Sequence, residues 1–348
     1  MDLRTMSNRN METVRVAYAV STRELEDEPL SATDSTLNAS HRGNLPHVYG
    51  LMLKHNKQVE AGGLDLPRVE LAVIIYDDKE PPLRDFSDVP VEFVGVCSER
   101  LRELRDERNA AQAAGNEGEF ARLRAEHGAE RVRYEQEFLD VLRGAEVDLV
   151  MLDRLMVIMG KTYLNEYLGA TINSHPAILP DLPGDTPTAD ALERAQSGGN
   201  PWTGVTAHFI DRGIDTGPAI SQEECTFIGE GLTVEEVRRR NYLGEGKNFW
   251  AAVQNYLSDP DAMRLLNLRR DARRQNGSGK ETRKLARRKA KELLGKYRES
   301  FDSHWQRRRE HGLGSGNYSY RAPFGRIHRP QKVAQRVQPQ RLRRAVAR

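Results

Sequence analysis

Four short apolar runs, separated by polar and helical stretches, constrain this chain most: Val14 to Val20, Val69 to Tyr76, Val91 to Val96 and Val147 to Met151. The second, Val69-Glu70-Leu71-Ala72-Val73-Ile74-Ile75-Tyr76, is dense in β-branched residues and almost free of polar ones. Strands of that kind need cover on both faces, which a parallel sheet between helices supplies. A helical stretch from Glu119 to Gly144 precedes the fourth run. The alternation predicts an α/β fold with a mostly parallel sheet. In such sheets ligands collect beyond the carboxyl ends of the strands, and the fourth run leads through a short apolar helix to the segment Asn173-Ser174-His175-Pro176.

Charge divides the chain in two. Residues 264–348 hold 26 Lys or Arg against 6 Asp or Glu, a balance of +20, whereas residues 1–263 hold 27 against 45, a balance of −18. Opposite charges of that size attract. The basic region is expected to be a helical appendix lying against an acidic body, either its own or that of a second subunit in a homo-oligomer. A surface for RNA or another polyanion is the other reading, and no specific nucleic-acid motif accompanies it. Within the region, Glu281 to Arg298 reads as a helix with Ala286, Ala290, Leu293 and Tyr297 on one side, and the part from Gly312 reads as an extended or wrapping arm. The expected units are residues 1–227 as a catalytic domain, 228–263 as helical completion of its core, and 264–348 as the Arg-rich region. No apolar stretch approaches the roughly 18 residues of a membrane span, and Cys97 and Cys225 stand in no ligand spacing. These features point to a cytoplasmic chain with no metal site, no disulfide and no membrane partner.

The chemistry-bearing residues are spaced along the middle of the chain. Asn173 and His175 lie in Asn173-Ser174-His175-Pro176-Ala177-Ile178-Leu179-Pro180, with Pro183-Gly184 just after, and Asp215 follows inside Gly213-Ile214-Asp215-Thr216-Gly217-Pro218. An amide, an imidazole and a carboxylate beside backbone shaped by Pro and Gly suit proton management at an acyl group. Each also has an ordinary reading, as a turn amide, a satisfied buried histidine or a turn-forming aspartate. Thr203 to Ile210 reads as a half-buried strand and Ala219 to Glu223 as its hairpin partner, which puts Asp215 in the connecting loop. Neither a GxGxxG run nor a phosphate loop follows the first strand. Instead a polar, acidic stretch from Ser21 to Ser40 leads to Gly43 and Asn44, which either present backbone NH groups to an anion at a helix start, aided by His41 or Arg42, or simply cap the helix. Leu232 to Tyr256 reads as helical with an interruption at Gly244-Glu245-Gly246, and Glu223 and Glu224 are candidates to meet an acceptor amine.

In order and spacing these motifs resemble the formyltransferases that use 10-formyltetrahydrofolate, which include glycinamide ribonucleotide, methionyl-tRNA and sugar N-formyltransferases. The family pattern is Asn-x-His-Pro-Ser-Leu-Leu-Pro, then Thr-Gly-x-Thr-x-His-Phe, then Asp-x-Gly-x-Asp-x-Gly. Here it reads Asn173 to Pro180 with Ala177 for the Ser, Thr203 to Phe209, and Asp211 to Gly217. The resemblance implies a Rossmann-like, mostly parallel sheet of the formyltransferase type, carrying here a basic helical C-terminal extension. It further implies formyl transfer from 10-formyltetrahydrofolate to an amine of a small-molecule acceptor. Asn173 would bond the formyl oxygen, His175 would support that bond and manage the proton, and Asp215 would assist proton transfer. Leu152, Met156, Val157, Ile158, Ile210, Asp211, Gly213 and Asp215 would line the cofactor cleft; Gly43, Asn44, Pro183, Gly184, His208 and Glu223 would meet the acceptor.

The chain also departs from the family. Where the glycinamide enzymes commonly read Leu-Ala-Gly-Phe-Met-Arg-Ile-Leu, it has Leu152-Asp153-Arg154-Leu155-Met156-Val157-Ile158-Met159. The segment from Ser21 to Arg42 replaces their compact Gly-rich first loop, which holds phosphate. Residues 264–348 lack the alternating pattern of the β-barrel that methionyl-tRNA formyltransferases carry. Hydrolysis of the formyl donor, a methionyl-tRNA-type activity, a carbamoyl-type one-carbon transfer and a non-catalytic RNA-binding scaffold are the alternatives.

Overall fold

The computed structural model describes residues 12–21, 44–77, 89, 91–275, 279–310 and 318–324. Its spine is one eight-stranded sheet in the order β3-β2-β1-β4-β5-β6-β7-β8. The strands are β1 (Thr13–Val20), β2 (Arg68–Tyr76), β3 (Phe93–Gly95), β4 (Leu149–Asp153), β5 (Thr171–His175), β6 (Trp202–Phe209), β7 (Ala219–Phe227) and β8 (Ser319–Arg321). β1 to β5 run parallel, and β6 to β8 add to the β5 edge antiparallel. The apolar runs of the sequence thus form the parallel half, and the Thr203 and Ala219 runs form the expected hairpin.

Eight helices surround it among the described residues: α1 (Leu45–Glu60), α2 (Glu99–Ala113), α3 (Glu117–Gly144), α4 (Lys161–Tyr167), α5 (Pro187–Gln196), α6 (Val234–Leu257), α7 (Pro260–Arg274) and α8 (Lys280–Glu310). Tyr18 meets Phe249 of α6 on one face of the sheet, and Thr171 meets Tyr163 of α4 on the other. Starts are marked chemically: Asn116 caps α3 through the Glu119 N–H, and Thr233 with Glu236 forms a capping box on α6.

Three findings differ from the sequence reading. The Pro and Gly around Asn173, His175 and Asp215 suggest loop positions for all three, but Asn173 and His175 stand on a strand, β5, and only Asp215 stands on a loop. α6 runs unbroken through Gly244-Glu245-Gly246. The glycines mark close approach, since a Cβ on Gly244 would come within 2.9 Å of Cys225 Sγ and one on Gly246 within 3.0 Å of the His47 ring. Third, the C-terminal region contributes a strand, β8, which the short Ser319 to Arg321 run does not announce.

The basic region shares the core of the sheet. Leu265, Leu266, Ala286, Ala290, Leu293, Tyr297, Phe301, Trp305 and Tyr320 belong to the same buried cluster as Val16, Ile74 and Ile172. On α8 the buried positions recur at three to four residues, the spacing of one helix face. Charges follow. Asp148, fully buried, receives Arg270 and Arg273 of α7; Lys296 lies 2.9 Å from Asp259 and 2.7 Å from Asp261; and Arg308 pairs with buried Glu224. The attraction between the two halves acts within one chain. No helix among the described residues is long and apolar enough to cross a membrane.

Candidate active site

Side chains alternate along a strand, so Asn173 and His175 of β5 share a face while Ser174 takes the other. Antiparallel register sets His208 of β6 opposite Asn173 and Thr206 opposite His175. The Asp215 loop closes over this face. Asp215 Oδ2 lies 3.6 Å from His175 Nδ1, and Oδ1 lies 3.6 Å from His208 Nε2. The Asn173 amide nitrogen is 3.1 Å from His208 Nε2. Amide, two imidazoles and carboxylate therefore form one group, with His175 and His208 only 4% and 1% exposed.

Backbone carbonyls fix the tautomers, because a carbonyl only accepts. His175 Nε2 donates to the Leu182 carbonyl at 2.7 Å, and His208 Nδ1 donates to the Phe209 carbonyl at 2.8 Å. In the neutral rings, His175 Nδ1 and His208 Nε2 are then bare and face Asp215 from two sides, and Asn173 donates to the latter. A single proton added to this group has a carboxylate and two basic nitrogens to share it. Burial lowers the pKa of His175 against the opposing pull of Asp215, and lowers that of His208 to about 4 in the same way. At neutral pH both rings are uncharged and able to accept a proton.

The Asp215 loop is tied down from three directions. The Gly184 N–H donates to Asp215 Oδ2 at 2.9 Å. Asp215 itself adopts φ 51°, the left-handed region that Asp tolerates better than most side chains. Gly217 passes so close to the Phe209 carbonyl that a Cβ there would sit 1.7 Å from the oxygen. At the loop start, Asp211 accepts from the Gly213 N–H and the Thr216 hydroxyl. Arg298 of α8 then donates to Asp211 Oδ2 at 3.2 Å and to the Thr216 carbonyl at 2.8 Å. A guanidinium from the basic region thus holds the Asp215 loop.

On the opposite face of β5, Ser174 donates to Glu245 of α6 at 2.7 Å. Asp153, at the end of β4, accepts from the Tyr18 hydroxyl at 2.5 Å, from the Asn44 backbone N–H at 2.8 Å and from the Asn44 amide at 3.2 Å. Burial, then the Asp153 charge, raises the Glu245 carboxyl to about 7. A folded-state pKa above the unfolded value contributes stability that is fully present below the unfolded value, near 4.5, and is lost as pH rises through about 7. Glu245→Gln should therefore raise the melting temperature at pH 8 by about 2 °C or more and leave it nearly unchanged at pH 5. A difference independent of pH would contradict this, and differential scanning fluorimetry across the range measures it.

The residues expected from sequence separate into groups. Asn173, His175 and Asp215 converge, and Gly184 joins them through its N–H. His208, expected to meet the acceptor, stands inside the group, where its pairing with Asn173 places it. Met156, Ile158 and Ile214 are apolar and about half exposed near the loop and strand ends. Leu152 and Val157, expected beside the cofactor, are buried and belong to the core cluster. Ile210 is half-buried, Asp211 and Gly213 build the loop, and Pro183 is exposed. Glu223 pairs with Val205 while Gln222 pairs with Thr206, so Glu223 takes the α6 face, away from Asn173 and His175. Glu224 is held by Arg308. Asn44 turns inward to Asp153, and Gly43 lies outside the described residues. Burial pushes the Cys225 thiol up to about 12, which disfavours its thiolate at neutral pH.

The sheet thus presents an amide, two imidazoles and a carboxylate at the end of one strand, groups of the kind that proton handling at an acyl carbon requires. Residues 88–253 match the family model described as Formyl transferase. It is 35% identical over 127 residues to the phosphoribosylglycinamide formyltransferase of Bacillus subtilis, a match covering 36% of this chain and 63% of that protein. It is 38% identical over 108 residues to the enzyme of the same description from Mycobacterium tuberculosis, covering 31% of this chain and 48% of that one. The chain thus spans about half to two thirds of the length of these curated relatives. The solved phosphoribosylglycinamide formyltransferase of Coxiella burnetii aligns over 71% of this chain and 88% of its own, with 16% identity and a TM-score of 0.47.

Proposed function

We propose that this protein transfers a formyl group from 10-formyltetrahydrofolate to the amine of a small-molecule acceptor. The observation that carries the reading is the convergence of Asn173, His175, His208 and Asp215 in one group whose two imidazoles are buried, with tautomers set for proton acceptance. Attack of an amine nitrogen on the formyl carbon breaks the carbonyl π bond and leaves a negatively charged oxygen and a positively charged nitrogen. An Asn173 N–H is suited to bond that oxygen, since a neutral donor stabilises developing charge without a charge of its own to desolvate. The attacking nitrogen then loses a proton to the bare nitrogen of His175, which Asp215 supports as it becomes charged. Returning that proton to the departing folate nitrogen as the carbon–nitrogen bond breaks completes the transfer with no net change in protons. Exposed Met156, Ile158 and Ile214 offer apolar surface for a ring system beside the group.

The test is incubation of the full-length protein with 10-formyltetrahydrofolate and a mixed amine library, followed by mass spectrometry, beside an amine-free control. Donor-dependent gain of one CO on an amine is the expected result. Free formate without any adduct would replace the transferase reading with hydrolysis.

A further inference from the structure

Parallel strands β1 and β4 are neighbours whose connections leave in opposite directions, β1 towards β2 and β4 towards β5. Such a switch point opens a crevice at the carboxyl ends of the strands, where ligands of α/β sheets bind. A helix that begins at a crevice of this kind is ordinarily suited to a phosphate, because its free N–H groups and its dipole both favour an anion. α1 begins here, and its N-cap residue turns inward onto the chain's own carboxylate. The Asn44 N–H and amide both donate to Asp153, and Pro46 in the first turn has no N–H to give.

Other residues at the same place add to the effect. Glu245 brings a second fully buried carboxyl group, and its Oε2 has no hydrogen-bond partner among the described residues. The nearby cation is engaged: Arg154 lies 4.0 Å from Asp153 and 3.7 Å over the Tyr242 ring. Gly246 lets α6 press against Asn44 and His47, narrowing access to the helix start. Asp153 also stands where the family pattern quoted above has Ala. Ser174 ties this carboxyl group to the strand that bears Asn173 and His175, from that strand's other face.

Resting on the formyl-transfer reading, we infer that the acceptor is an amine without a phosphate, of neutral or positive overall charge, which the carboxylate-filled start of α1 selects against phosphorylated amines. This separates the chain from the relatives named for a phosphoribosyl acceptor. The test is calorimetric titration of the full-length protein, with tetrahydrofolate present, by inorganic phosphate and by a matched pair, ribosylglycinamide and its 5′-phosphate. The expected result is no binding of inorganic phosphate, and binding of the 5′-phosphate that is equal to or weaker than that of the riboside, or absent. Binding of the 5′-phosphate roughly tenfold tighter than that of the riboside, or competition between it and inorganic phosphate, would overturn the inference. Asp153→Ala is expected to gain phosphate affinity, and Asp153→Asn, which keeps the hydrogen-bonding shape, covers the case in which the first variant fails to fold. Bound folate with no transfer to any amine in the library would instead defeat the formyl-transfer reading, while these affinities would still decide the phosphate question.

Discussion

Asn173→Ala is expected to lower the turnover of formyl transfer by about 10²–10³-fold, the loss seen when one donor to a developing oxyanion is removed. KM for the acceptor should change little, because the lost bond matters most once the oxygen carries charge. Asp215→Asn should act differently. It keeps the shape of the loop and the bond from Gly184, yet removes the charge that supports a proton on His175. Its turnover should fall steeply at neutral pH, and the acid side of the pH–rate profile should move to lower pH, because the imidazole loses the partner that opposes the effect of burial. The folded state should survive both changes, since neither residue belongs to the apolar core. Wild-type rates in both variants with saturating donor and acceptor would remove these residues from the chemistry.

Ending the chain after residue 279 is expected to abolish cooperative folding. The loss removes α8 and β8, exposing the surface that Leu293, Tyr297, Phe301 and Trp305 cover. At about 1.5–3 kcal/mol for each large apolar side chain, the cost is on the order of 10 kcal/mol, as large as the roughly 5–15 kcal/mol that holds a domain folded. Added salt should not restore the shortened chain, because most of the lost stability is apolar. Circular dichroism during heating decides the matter: an unchanged transition would show that the basic region is dispensable to the fold. Arg298→Ala separates the two roles of α8. Its guanidinium is half exposed and, among the described residues, bonds only the loop, so the melting temperature should hold while transfer slows by about tenfold, with partial recovery in Arg298→Lys. An unaltered rate would mean that the loop keeps its place without it.

The parallel half of the sheet was legible because its strands are buried on both faces and must be apolar throughout. Asn173, His175 and Asp215 were legible because Pro and Gly around them shape backbone at recognisable spacing. β5 was not: Thr171-Ile172-Asn173-Ser174-His175 carries the polar residues of the site, so it lacks the apolar signal of a buried strand. Gly244-Glu245-Gly246 resembled a helix break because glycine lowers helix propensity, whereas here close packing against Cys225 and His47 outweighs it. The contact of Arg298 with the loop was invisible for another reason. Its partners are Asp211 and Thr216, more than eighty residues away, and one Arg among the 26 basic residues of residues 264–348 has no local mark.

The most direct measurement is release of tetrahydrofolate from 10-formyltetrahydrofolate by the wild-type protein and by Asp215→Asn, each with and without an amine that the library identifies. Release that requires the amine, matches the formylated product mole for mole and collapses in Asp215→Asn is the expected result. Release at equal rates in both proteins, or release that ignores the amine, would contradict transfer by the Asn173, His175 and Asp215 group.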